Sequence, residues 1–315
     1  YNLQGRRDNL YKSRIKILVH DIGAAKFAEL VEAEWRTLKD SALRLPDATI
    51  AEIAAHFAPP SYETLEPVAG ELAAARLEHR DFNMWVRSNV AAHKAPGYAI
   101  VNLSLKKEGA IPGDASANQM EALADLAERY SLGEIRVAHE QNLVLPHVRQ
   151  KDLFALWQAL QPLGLASANI GLISDIIACP GLDYCSLANA RSIPVAQRIA
   201  LRFADLKQQH EIGELKINIS GCINACGHHH VGHIGLLGVD KNGEEFYQIT
   251  LGGSGDEKAA IGSIIGPAVA SDQVVEAMER LVETYLSVRG DGERFIDTYR
   301  RVGPKPFKER LYAAH

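Results

Sequence analysis

Apolar residues recur at three- and four-residue spacing through DNLYKSRIKILVHDIG (8–23) and AAKFAELVEAEWRTL (24–38), a period that predicts two helices divided at Gly23. Pro59, Pro60 and Pro67 then loosen the pattern, and HKAPG (93–97) marks the start of a new unit. Beyond it the period changes. Tyr98–Leu105 is rich in strand formers, Ser116–Tyr130 has helical spacing behind a capping serine, Glu134–Ala138 and Leu143–Val148 read as short strands, and Gln150–Leu163 is helical again.

That order is βαββα. A complete ferredoxin-like unit is βαββαβ, so the segment is one strand short and exposes a sheet edge unless another segment pairs with it. From about Gly171 the pattern predicts a second α/β unit. Ser192 is placed to cap a helix with Pro194 in its first turn and Ile199, Ala200, Phe203 and Leu206 on one face. LKINIS (215–220) alternates as a strand running into Gly221 and Cys222, and HIGLLGV and EFYQITL flank the turn residues Asp240–Gly243 as a hairpin. A long helix is expected from Ser271 to Arg289 and a shorter one in GERFIDTYRRVG. The fold class is therefore α+β, with a helical segment at 1–95, a ferredoxin-like half-domain at 96–170 and an α/β domain at 171–315.

The 315 residues carry 34 basic and 39 acidic side chains, a formal charge of −5, which argues against a nucleic-acid partner despite the basic start at Arg6, Arg7, Lys12, Arg14 and Lys16. Apolar runs such as Ile170–Cys179 are interrupted by Gly171, Ser174 and Asp175 and fall short of the roughly 20 residues a membrane span needs, so no membrane association is expected. The opening YNLQGRRDNLYKSR lacks the apolar core of a signal peptide, and the expected location is cytoplasmic.

All four cysteines lie between 179 and 226, as CPGLDYC (179–185) and CINAC (222–226). Such clustering points to one site. Structural zinc favours pairs two to four residues apart, which suits the second pair and not the first, and disulfides need an oxidising compartment that nothing in the sequence indicates. Four thiolates from two loops suit a 4Fe-4S cluster, whose iron prefers sulfur ligands. Gly181, Gly221 and Gly227 would let backbone amides approach closely and point at the cluster sulfides.

With the cysteine spacing, the strand leading into SGC, the IGLLG and YQITLGG segments downstream, and RVAHEQNLVLPHV upstream, the chain resembles the second half of the siroheme-dependent nitrite and sulfite reductases. GRRDNLYKSRIKILVHDIG is similar to the segment joining their two halves. The resemblance implies that 1–95 is a helical linker, 96–170 the reductase ferredoxin-like half-domain, and 171–315 the 4Fe-4S and siroheme-binding domain. It implies that Cys179, Cys185, Cys222 and Cys226 hold the cluster, with Cys226 also bridging to the siroheme iron as the catalytic thiolate. It further implies multi-electron reduction of sulfite to sulfide, or alternatively nitrite to ammonia, with electrons from ferredoxin or a flavoprotein. In the family the Arg and Lys residues that grip the substrate anion belong to the N-terminal half, so the isolated chain is expected to be inactive without it. Ile223 departs from the proline common after the third cysteine, and no ligand is lost by it.

Other residues near the motif admit two readings. Gln141 and Asn142 are placed near the macrocycle by the resemblance, and by themselves form a polar turn. Asn224 either donates to a siroheme carboxylate or organises the loop. His228, His229 and His230, with His233 beyond, are rim hydrogen-bond partners of siroheme, exposed loop histidines, or ligands of a separate metal. A reading from another class remains beside the enzyme: a non-catalytic module whose cysteines hold a cluster or zinc for electron relay or stability.

Overall fold

Gly23, at a φ of +83°, occupies a conformation that costs a side-chain-bearing residue energy and glycine little. Its amide closes α1 (Ile15–Ile22) on the Val19 carbonyl, and α2 (Ala24–Leu38) starts at once, with α3 (Asp47–His56) following. The computed structural model describes residues 1–65 and 70–313, so Pro67 lies outside the described residues. The chain divides into two compact units, Tyr1–Ser61 and Tyr62–His315. In the first, Leu18 alone is buried among the described residues.

In the second unit, α4 (Gly70–Glu78) and α5 (Arg80–Asn89) precede β1 (Val90–Ala92), β2 (Tyr98–Leu103), α6 (Ala117–Tyr130), β3 (Arg136–Val137), β4 (Leu143–Arg149) and α7 (Leu153–Leu160). The strands form an antiparallel sheet in the order β1-β2-β4-β3. The partner missing from βαββα is thus supplied from upstream, by Val90–Ala92 on the open edge of β2. The compact units accordingly do not divide near residue 95. Phe82 and Trp85 of α5 share one apolar core with Val101, Leu103, Leu145 and Leu156, and β1 belongs to the sheet, so the chain from Tyr62 onward goes with the half-domain. Ser116 caps α6 through a reciprocal capping box with Gln119.

The second sheet begins with β5 (Ile177–Ala178); α8 (Ile193–Arg202) and α9 (Leu206–Ile212) follow, then β6 (Ile217–Ser220), β7 (Ile234–Lys241), β8 (Glu244–Leu251), β9 (Ser263–Ile264) and β10 (Val269–Ala270), and the chain continues through α10 (Val274–Val288), α11 (Phe295–Val302) and α12 (Lys305–Leu311). β5, β6 and β7 are parallel, whereas β8 returns antiparallel through a hairpin whose Asn242 and Gly243 take φ of +58° and +86°, the pair of positive angles a tight hairpin turn requires. The predicted long helix at Ser271 opens with a tight turn (Ser271–Gln273) before α10 proper. All four residues of β6 are buried, as expected of a central parallel strand, and its end delivers Gly221 and Cys222.

Between the two sheets runs a buried polar chain. Lys106 Nζ donates to Asp175 Oδ1 at 3.0 Å and to the Glu140 carbonyl at 2.7 Å, while Asn142 Nδ2 donates to the same carboxylate oxygen at 2.9 Å. Asp175 Oδ2 accepts the Gly171 amide at 2.9 Å. Each charge is paired and hydrogen-bonded, the condition for burying it.

Candidate functional site

The two cysteine loops meet backbone to backbone. The amides of Asn189 and Ala190, which follow the first pair, both donate to the carbonyl of Gly221, just ahead of the second, at 2.8 and 3.1 Å. No side chain fits at this junction. A Cβ on Gly181 would lie 2.5 Å from the Ser192 nitrogen, and one on Gly221 would lie 2.6 Å from the Ala190 oxygen and 2.9 Å from the Gly181 Cα. Gly181 also has a φ of +61°.

A glycine amide at this junction reaches a cysteine sulfur: Gly221 N donates to Cys179 Sγ at 3.1 Å. Cys179 and Cys222 are buried, Cys185 is half-buried and Cys226 is exposed. Desolvation by burial raises the Cys226 thiol pKa most, and the neighbouring Cys179, Cys222 and Cys185 raise it further, so the other three sulfurs are near enough to act on Cys226. Among the described residues, however, no three His, Cys, Asp or Glu side chains converge on a single ion. The two observations agree for a cubane, in which each thiolate binds a different iron and the sulfurs stand farther apart than around one zinc. The soft donor set and its glycine-lined junction fit a 4Fe-4S cluster.

The remaining candidate residues have separate placements. Gln141, at a φ of +59°, turns its side chain onto the backbone of Ala178: Nε2 donates to the carbonyl at 2.9 Å and Oε1 accepts the amide at 3.0 Å. Asn142 is buried, and its Oδ1 accepts from the Leu105 amide and from Lys106. Asn224 is half-buried between the third and fourth cysteines. The histidine run splits. His228 is exposed in the left-handed region, His230 is exposed, and His229 is buried with its ring centroid 3.9 Å from that of His230. His233 is buried; its Nδ1 accepts the Lys216 amide at 3.2 Å, its ring stacks on Phe295, and desolvation lowers its pKa to about 4.

Sequence reasoning missed Ser192, Lys106 and Asp175. The expected cap at Ser192 is absent: the hydroxyl makes no bond to the α8 backbone and lies 3.4 Å from Cys179 Sγ. Asp175 did leave a signal, as a carboxylate inside an apolar run. Lys106, in SLKKEG, reads as an ordinary solvated charge.

Residues 172–314 match the family model for the nitrite and sulphite reductase 4Fe-4S domain, and residues 108–163 match that for the nitrite/sulfite reductase ferredoxin-like half domain. The chain belongs to the siroheme-dependent nitrite and sulfite reductase family. It is 30% identical over 295 residues to a ferredoxin sulfite reductase of Mycolicibacterium paratuberculosis, covering 90% of this chain and 46% of that protein. Identity to the chloroplastic ferredoxin–nitrite reductase of Zea mays is 27%, over 93% of this chain and 47% of the relative. The structure of the NirA protein of Mycobacterium tuberculosis superposes with a TM-score of 0.61 at 26% identity, covering 96% of this chain and 50% of that one. The chain therefore spans about half the length of the reductases it matches. The cofactors of the reductase family are a 4Fe-4S cluster and siroheme.

Proposed function

We propose that this chain is the C-terminal half of an assimilatory siroheme reductase, cytoplasmic, that reduces sulfite to sulfide. Electrons would come from ferredoxin or a flavoprotein. Nitrite reduction to ammonia is the alternative within the family, supported by the nitrite reductases among its relatives. When bound, the cluster and siroheme supply electron storage and delivery to the anion.

One observation carries the reading: of the four thiols on two loops that meet backbone to backbone, Cys226 is the exposed one. Cys179, Cys185 and Cys222 would hold the cluster from the inner side, and Cys226 would be shared with the siroheme iron, a role that needs a sulfur open on its outer face. Asn224, His228 and His230, beside that face in sequence, would supply donors to the siroheme carboxylates. His229, buried, would brace the loop from within. Gln141 and Asn142 would act on the cofactors indirectly, Gln141 by holding the backbone of Ala178 beside Cys179 and Asn142 through its hydrogen bond to Asp175. The cations that grip the anion are expected in the N-terminal half, so the isolated chain should reduce neither sulfite nor nitrite.

The test is iron and acid-labile sulfide analysis of the full-length protein, with visible absorption for siroheme and assays on both anions under a reduced donor. Iron, sulfide and macrocycle with faster turnover of sulfite are expected. Zinc without iron would defeat the reading in favour of a structural module. Cys226→Ser should uncouple cluster from siroheme, and normal rates in that variant would remove the bridging role.

A further inference from the structure

The sulfur of Cys179 has two hydrogen-bond partners. The Gly221 amide donates to it at 3.1 Å, and the Ser192 hydroxyl lies within hydrogen-bond distance at 3.4 Å, where either atom can be the donor while the cysteine is a free thiol. Ser192 is fully buried at the entrance to α8, where serine ordinarily accepts a hydrogen bond from the first turn of the helix, and here it makes no such bond. A buried hydroxyl needs a partner, and Cys179 Sγ is the one it has among the described residues. Two glycines pack against Ser192: a Cβ on Gly181 would lie 2.5 Å from its nitrogen, and one on Gly221 would lie 3.2 Å from its hydroxyl oxygen.

We propose that Ser192 is a positioning residue that sets the reduction potential of the cluster by donating a hydrogen bond to its ligand Cys179. The inference rests on the assignment of Cys179 as a cluster ligand. Once the sulfur is bound to iron it has no proton, so the hydroxyl is the donor. When a one-electron reductant reduces the cluster, one electron enters, no covalent bond is made or broken, and the hydroxyl keeps its proton. Added negative charge is shared onto the thiolates, so a donor aimed at one of them stabilises the reduced state more than the oxidised state and raises the potential.

The experiment is an electron paramagnetic resonance titration of the full-length holoenzyme with dithionite, comparing the wild type with Ser192→Ala and Ser192→Thr. Expected are a midpoint shifted to more negative potential in Ser192→Ala at full iron content, and a midpoint near wild type in Ser192→Thr, which keeps the hydroxyl. An unshifted midpoint in a fully loaded Ser192→Ala enzyme overturns the inference while leaving the proposed function standing. Should Ser192→Ala lose iron, double-resonance spectroscopy of the reduced wild type in deuterated buffer decides instead. Two exchangeable protons coupled to the cluster, amide and hydroxyl, support the proposal, and one alone overturns it. A wild type without any cluster defeats the assignment of Cys179, and the proposed function with it.

Discussion

The side-chain amide of Gln141 holds both backbone groups of Ala178, donating to its carbonyl at 2.9 Å and accepting from its nitrogen at 3.0 Å, one residue ahead of Cys179. A loop of the half-domain thereby fixes the strand that leads into Cys179. Gln141→Ala leaves that amide and carbonyl without these partners, at a cost of about 1–3 kcal/mol. The expected outcome is a lower unfolding midpoint in denaturant and faster loss of iron to a chelator. Wild-type iron retention would show that the bridge does not restrain Cys179.

Lys106 and Asp175 form a buried pair, with side chains 2% and 6% exposed. Lys106→Met strands the Asp175 carboxylate in the interior, and removing one partner of such a pair costs about 3–5 kcal/mol. Urea unfolding should register a loss of that size. A change under about 1 kcal/mol would mean the carboxylate finds water or another donor.

His233 supplies a pH dependence. Its folded pKa, lowered by burial to about 4, lies below the ordinary histidine value, so between the two the unfolded chain binds a proton that the folded chain does not. Its contribution is fully present above the unfolded value of about 6.5 and falls away as pH drops toward 4, by up to about 3 kcal/mol. Burial is the main reason, and a protonated Nδ1 would also lose its hydrogen bond from the Lys216 amide. Unfolding free energies measured from pH 7 to pH 4 should fall with acidity, and that slope should flatten in His233→Asn. An unchanged slope would assign the acid sensitivity to other groups.

Gly181→Ala is expected to be costly twice over. The residue sits at a φ of +61°, worth about 1–2 kcal/mol against an L side chain, and the new methyl would press on the Ser192 nitrogen. Iron per chain and thermal midpoint should both drop. A Gly181→Ala protein with full iron content would show that the junction of the two cysteine loops can open without losing the cluster.

The alternation and spacing of apolar residues were enough to locate most elements, because an amphipathic helix or half-buried strand writes its own period into the chain. The break at Gly23, the cap at Ser116 and the hairpin at Asn242–Gly243 are of this local kind, each set by the conformational preference of one or two residues. So is the chemistry of the site, since four soft ligands in two short loops limit the metals they can hold. Tertiary structure decided what depends on partners far apart in sequence. The added strand β1 comes from a segment that by itself reads as the end of a helical stretch, and only the open edge of β2 makes it a strand. Lys106 is a solvated charge until Asp175, 69 positions away, meets it in the interior. Ser192 has the local pattern of a helix cap, and becomes a sulfur donor because the packing of Gly181 against Gly221 sets its hydroxyl beside Cys179. Local propensity is a matter of neighbours along the chain, whereas burial and pairing energies depend on distances that exist only after the chain has folded.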